Sequence, residues 1–117
     1  MKIGFDLQEV EKIDNEDKLL GKIALESEIS YIEKFKGQKK DKTASLWAVK
    51  EAVFKALDIF EGEISFEEIE LLHKENGAPV VVLHGKAKTV FDAKGLTNIE
   101  VSISHQKSVV GAVVIVN

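Results

Sequence analysis

The chain has 117 residues, a net charge of −4 and no cysteine. That length suits one domain, residues 1–117, around a single core. The missing cysteines exclude disulfides, thiolate catalysis and cysteine-ligated zinc. An excess of acids argues against a nucleic acid partner, since phosphate binding normally needs surplus Lys and Arg. No run approaches the roughly 18 apolar residues that span a bilayer, and the opening MKIGFDLQEVEKID lacks the apolar stretch of a signal peptide. A cytosolic protein away from membranes is expected. All 16 basic residues are lysine.

Residues 2–8 alternate apolar and polar and read as a half-buried strand, with Ile3, Phe5 and Leu7 on one face. From Asp14 to about Gly37 two short helical stretches follow, with a polar break near Glu26; residues 37–41 read as a solvated connection. Thr43 to Leu57 is the strongest helix, free of Gly and Pro. Segments 66–73 and 79–84 read as strands joined by a turn at Glu75, Asn76 and Gly77. Pro79 opens the second of them, where a missing N–H is tolerated. A short helix over 86–94 ends at Gly95. Strands over 98–105 and 108–116 close the chain, with a tight turn at Gln106 and Lys107. Helices and strands mix without regular βαβ alternation, so the class is α+β. Val109 to Val116 is apolar on both faces, which requires cover on both sides, from helices or from another subunit.

At about 100° per residue, Leu46, Val49, Val53, Ala56 and Leu57 form the apolar stripe of the central helix, with Trp47 and Phe54 along one edge. Glu51 and Lys55 lie one turn apart, and on spacing alone they are an exposed ion pair. Lys50 projects into the apolar arc. It either lies along apolar surface with its ammonium in water or serves an anionic ligand at the edge of the core. Asp6 interrupts an apolar strand, as a solvent-facing acid or as a hard oxygen ligand for Mg²⁺. In the run Ser102, Ile103, Ser104, His105, the histidine ends a strand, where it caps a turn or binds phosphate. The run makes a poor Ser–His–acid triad, because neighbouring strand residues point to opposite faces, and Ser102 and Ser104 read as hydrogen-bond donors rather than nucleophiles. His73 and His84 are isolated and read as structural. No Walker A loop or dinucleotide fingerprint is present.

Four segments in order resemble the bacterial holo-acyl-carrier-protein synthases, a family of 4′-phosphopantetheinyl transferases. GFDLQEVEKI at 4–13 resembles the family's GIDIVEIERI-type opening. WAVKEAVFKAL at 47–57 resembles its helix motif, an aromatic followed by AAKEA, two variable positions and KA. NGAPVVVL at 76–83 resembles its Gly-x-Pro strand entry, and VSISH at 101–105 its serine–histidine strand. The match leaves roughly residues 14–42 and 58–64 without specific support.

The resemblance implies the phosphopantetheinyl transferase fold, a small mixed or antiparallel sheet packed with helices, assembling as a homotrimer with active sites shared between subunits. It implies Mg²⁺-dependent transfer of 4′-phosphopantetheine from coenzyme A to a serine of apo acyl carrier protein, in support of fatty acid synthesis. Asp6 and Glu51 match the metal-holding acids, and both count with Lys55 as catalytic. Lys55 matches the lysine beside the pyrophosphate and Lys50 the first lysine of the helix motif. Ser104 and His105 match the coenzyme A-contacting strand end; Gly77 and Pro79 match a turn near the nucleotide.

Two departures stand out. The family often has Arg before the aromatic of the helix motif, to grip the 3′-phosphate, whereas this chain has Leu46; Lys42 is a substitute at the helix entry. The family's basic early helix is here reduced to Lys12, Lys18 and Lys22 among acids. Competing expectations are a carrier- or nucleotide-binding module without activity and a phosphohydrolase that splits coenzyme A with water. Retention of Asp6, Glu51 and Lys55 argues against the first, and a requirement for carrier protein separates the second.

Overall fold

The computed structural model describes residues 1–117. The alternating N-terminus forms β1, Lys2–Glu9. After one 3₁₀ turn, α1 covers Glu16–Ile23, and Asn15 caps it by accepting from the Lys18 amide at 3.1 Å. The break falls at Ala24 and Leu25, and α2 follows over Glu26–Glu33. The long helix α3 spans Lys39–Leu57 and stops at Asp58, which is left-handed at φ 55°. It starts earlier than expected because Lys39, Lys40 and Asp41 tolerate helix; the break is Gly37, at φ +80°.

Residues 66–68, expected as strand, form a 3₁₀ turn capped by Ser65. The hairpin strands are β2, Ile69–His73, and β3, Pro79–Leu83. Helix α4 covers Gly85–Ala93, and the last hairpin is β4, Ile99–Gln106, with β5, Val109–Val116. The sheets are antiparallel, one of order β1-β5-β4 and one of β2 with β3. The α+β class and the small antiparallel sheet follow the expectation. No helix is long and apolar enough to cross a membrane.

Helix α3 lies across β1 and β5. Its face meets Val110, Ala112, Val114 and Val116, all buried. Here β1 departs from its reading. Gly4 and Asp6 face the helix, while Ile3, Phe5 and Leu7 are 57%, 54% and 58% exposed. Gly4 explains the inversion. A Cβ there would stand 1.9 Å from the Ala52 carbonyl oxygen and 2.6 Å from the Ala56 nitrogen, so strand and helix touch backbone to backbone. Gly4→Ala should therefore cost about 3 kcal/mol or more, since neither backbone can yield cheaply; a denaturant midpoint unchanged from the parent would disprove this packing.

By register, Ile3 pairs with Ile115, Phe5 with Val113 and Leu7 with Gly111. This outer face carries no helix. Of the two covers possible for Val109 to Val116, the chain itself supplies one side only.

Candidate active site

Because Gly4 brings β1 against α3, Asp6 is carried beside the middle of that helix and is only 8% exposed. The solvent-facing reading of Asp6 is thus overturned. Lys55 does not bridge to Glu51 in the expected helical ion pair. Its ammonium reaches across to β1, donating to Asp6 Oδ1 and to the Phe5 carbonyl, each at 3.0 Å. Gln8 Nε2 donates to the other Asp6 oxygen at 2.7 Å.

Glu51 is pushed up from the ordinary carboxylate value of 4.5 to about 7. Burial is the largest cause, then a side-chain hydrogen bond with Glu61, then the charges of Glu61 and Asp6; Lys55 only partly opposes them. Three acids thus crowd one ammonium. Glu61 was not singled out from sequence, because it lies in the loop 58–64, where neither motif nor period marks it.

No three His, Asp or Glu side chains stand close enough to chelate a metal by themselves. Mg²⁺ does not need such a cage, since it usually takes one or two carboxylates and completes its shell with phosphate and water. The hard oxygens of Asp6 and Glu51, with negative charge left unrelieved at Glu51, fit that ion.

Lys50 corrects both of its readings. It is 0% exposed, so it neither snorkels nor can serve coenzyme A. Its ammonium donates to the Ile23 carbonyl at 2.6 Å, to Glu28 Oε1 at 2.9 Å and to the Phe66 carbonyl at 2.9 Å. All three protons are used.

A second polar set lies in a groove of about 300 Å³ between α2, the start of α3, the β2–β3 turn and the end of β4. Lys42, Gly77, Pro79 and His105 line it, whereas Asp6, Glu51 and Lys55 do not. His105 Nε2 stands 3.7 Å from Asp41 Oδ1. Leu46 is buried in its wall, and Lys42 holds its ammonium 4.3 Å from the centre of the Phe35 ring. His73 also lines the groove, a placement its isolated position in the sequence did not signal. His84 lies elsewhere, paired with Glu70 at 2.8 Å. Ser104 does not join His105. It sits on the outer sheet face opposite Gly111, in a shallow hollow with Phe5 and Leu7.

The separation of the two sets follows from helix geometry. Lys42 and Glu51 differ by about 180° around α3, and Lys42 and Lys55 by about 20 Å along it.

An acid–lysine cluster on one side of α3 and a cation-bearing groove on the other, on a small α+β fold, are equipment suited to a substrate that carries phosphate. The signature of the 4′-phosphopantetheinyl transferase superfamily matches residues 2–111. A holo-[acyl-carrier-protein] synthase of Thermoanaerobacter sp. (strain X514) is 38% identical over 110 residues, covering 91% of this chain and 79% of that one. Another, of Caldicellulosiruptor bescii, is 38% identical over 117 residues, covering 97% and 94%. The crystal structure of the Helicobacter pylori holo-[acyl-carrier-protein] synthase in complex with coenzyme A aligns with a TM-score of 0.84 at 29% identity, over 98% of this chain and 99% of that one. The chain belongs to the holo-acyl-carrier-protein synthase family of 4′-phosphopantetheinyl transferases.

Proposed function

We propose that this chain is a Mg²⁺-dependent cytoplasmic enzyme that transfers 4′-phosphopantetheine from coenzyme A to a serine of apo acyl carrier protein, in support of fatty acid synthesis. The observation that carries the reading is the cluster of Lys55, Asp6 and Glu51, drawn from a strand and a helix to one place. Asp6 and Glu51 would hold the metal, which supplies positive charge to the phosphate oxygens.

The serine oxygen forms a bond to the phosphorus that bears pantetheine. The bridging P–O bond breaks, and its electron pair leaves with adenosine 3′,5′-bisphosphate. The Lys55 ammonium, now shared by two oxygens of β1, is the cation of the chain suited to neutralise that leaving phosphate. The serine proton passes to Glu51 or to a water beside it.

One chain cannot place both polar sets on one coenzyme A. The 3′-phosphate and the diphosphate of that molecule are a single ribose apart, while the groove and the acid–lysine cluster lie on opposite sides of α3. A groove lent by a neighbouring copy resolves this. The uncovered outer face of Ile3, Phe5, Leu7 and Val113 is the apolar surface such a neighbour would cover, in keeping with a homotrimer. Ser104 lies on that same face, and its contact with coenzyme A would likewise be made across subunits. Lys12, Lys18 and Lys22 line one further hollow with Ile13, Leu19 and Trp47, a cationic site with apolar support for an acidic carrier protein.

Intact-mass spectrometry of apo acyl carrier protein, incubated with the chain, coenzyme A and Mg²⁺, tests the activity. One added phosphopantetheine supports it. Phosphopantetheine released without carrier protein would instead establish a hydrolase.

Lys42 takes the place of the absent arginine in this reading. Lys42→Ala should raise KM for coenzyme A about tenfold and leave kcat unchanged, the value of one charge-assisted hydrogen bond. With 3′-dephospho-coenzyme A the same substitution should have little effect. Equal losses with both substrates would remove Lys42 from the 3′-phosphate.

A further inference from the structure

His73 closes β2 and stands directly across from Pro79, the first residue of β3. Its ring lies flat on Tyr31, with centroids 3.9 Å apart and planes 2° from parallel. Phe35 supports Tyr31 from the next turn of the chain, at 5.0 Å. One ring face is therefore covered. The Nδ1 atom is sealed from solvent and has no hydrogen-bond partner. A histidine that only filled space would be expected to satisfy at least its buried nitrogen. His73 lines the groove, and with Nδ1 sealed the one polar atom of the ring left to serve a ligand there is Nε2.

The state of the ring follows from its surroundings. Burial lowers its proton affinity below the ordinary 6.5, and the nearby Lys42 charge lowers it further, so the imidazole is neutral at pH 7. A neutral imidazole carries one N–H. On Nδ1 it would be buried with no acceptor, whereas on Nε2 it remains free to donate. The groove therefore offers a fixed neutral donor, the apolar walls Leu71, Pro79 and Ile103, the Lys42 ammonium and the His105 ring. A phosphate alone would use only Lys42 and His105. A flat heterocycle with ring-nitrogen acceptors, carrying phosphate beside it, uses the walls and the donor as well.

Building on the nucleotide placement proposed above, we infer that His73 reads the purine base of the bound nucleotide, donating from Nε2 to a ring nitrogen while its stack on Tyr31 holds it in place. This gives the chain a base-specific contact beyond the turn at Gly77 and Pro79, from a residue with no counterpart among the motif positions. It also gives Tyr31 a role as the brace that keeps the imidazole from turning.

The test is a calorimetric comparison of two ligands, adenosine 3′,5′-bisphosphate and the base-free 1-O-methyl ribose 3,5-bisphosphate, on the full chain and on His73→Phe. Phenylalanine keeps a flat ring against Tyr31 but cannot donate. The expected result is about tenfold weaker binding of the adenosine compound, the worth of one hydrogen bond, with the base-free compound unchanged. An equal loss for both ligands would mean a structural role and overturn the inference, as would unchanged binding of both. If His73→Phe is without effect while phosphopantetheine transfer proceeds, only the base contact fails. If the parent chain binds no adenosine 3′,5′-bisphosphate, the nucleotide site and the contact built on it fall together.

Discussion

Lys50→Ala should lower folding stability by about 3–5 kcal/mol, the range for breaking a buried ion pair from one side. The substitution strands the Glu28 carboxylate and the carbonyls of Ile23 and Phe66, all served by the lost ammonium. Glu28 is itself a junction. It accepts from the Leu25 amide at 2.8 Å and from the Leu71 amide at 2.7 Å, so a single carboxylate joins the start of α2, the middle of α3 and β2. Replacing the pair by two apolar residues, which often rescues simple buried ion pairs, should fail here because it leaves those two amides unpaired. Urea titration of Lys50→Ala and of the double variant Lys50→Met with Glu28→Leu reads both effects. A Lys50 variant of parental stability with a raised KM for coenzyme A would return this residue to the substrate site.

The second large effect has opposite signs in two measurements. Glu51→Gln should reduce transfer about 10³-fold if its carboxylate holds the metal as proposed, and yet stabilise the free chain at neutral pH. The stability change follows from the raised proton affinity of Glu51. Between its unfolded value of 4.5 and its folded value of about 7, the native chain keeps a proton that the unfolded chain has lost. Stability contributed by this group therefore falls as pH rises through that window, and the full penalty is present above it. Melting temperatures of parent and Glu51→Gln should coincide at about pH 4 and separate by about pH 8, with the variant higher. Proton and cation compete for the same oxygens, so Mg²⁺ should stabilise the parent more at the higher pH. A variant that melts below the parent at about pH 8 would show that Glu51 is not under charge repulsion.

The elements of this fold were legible because they rest on local chemistry. Gly37, Gly77 and Gly95 punctuate the chain where the backbone must turn left-handed, and periodicity between them names strand or helix. Which face of β1 is covered was not legible. Alternation divides Ile3, Phe5 and Leu7 from Gly4 and Asp6, and hydrophobicity assigns the first set to the core. The answer depends on a backbone contact with Ala52, 48 positions later in the chain, and on an apolar face that one chain leaves open.

At the site, Asp6, Glu51 and Lys55 carried a recognisable motif, but their partners did not. Lys55 meets Asp6 rather than its helical neighbour because the packing of β1 on α3 brings the Phe5 carbonyl and the Asp6 carboxylate to its ammonium. Lys50 gave a real signal by projecting into the apolar arc, whereas Glu28 looked like one surface acid among many. Glu61 and His73 gave none, since each acts through neighbours brought by distant parts of the chain.

The sealed position of Lys50 has a chemical consequence. With no arginine, every strong base of the chain is a primary amine open to acylation or reductive methylation, and of the 16 only Lys50 is buried. Reagents that modify amines would decorate the folded surface while this one nitrogen stays out of reach. It becomes reactive only when the junction of α2, α3 and β2 opens. Its labelling would thus keep time for the opening of the fold, against a background of surface amines that react without waiting for it.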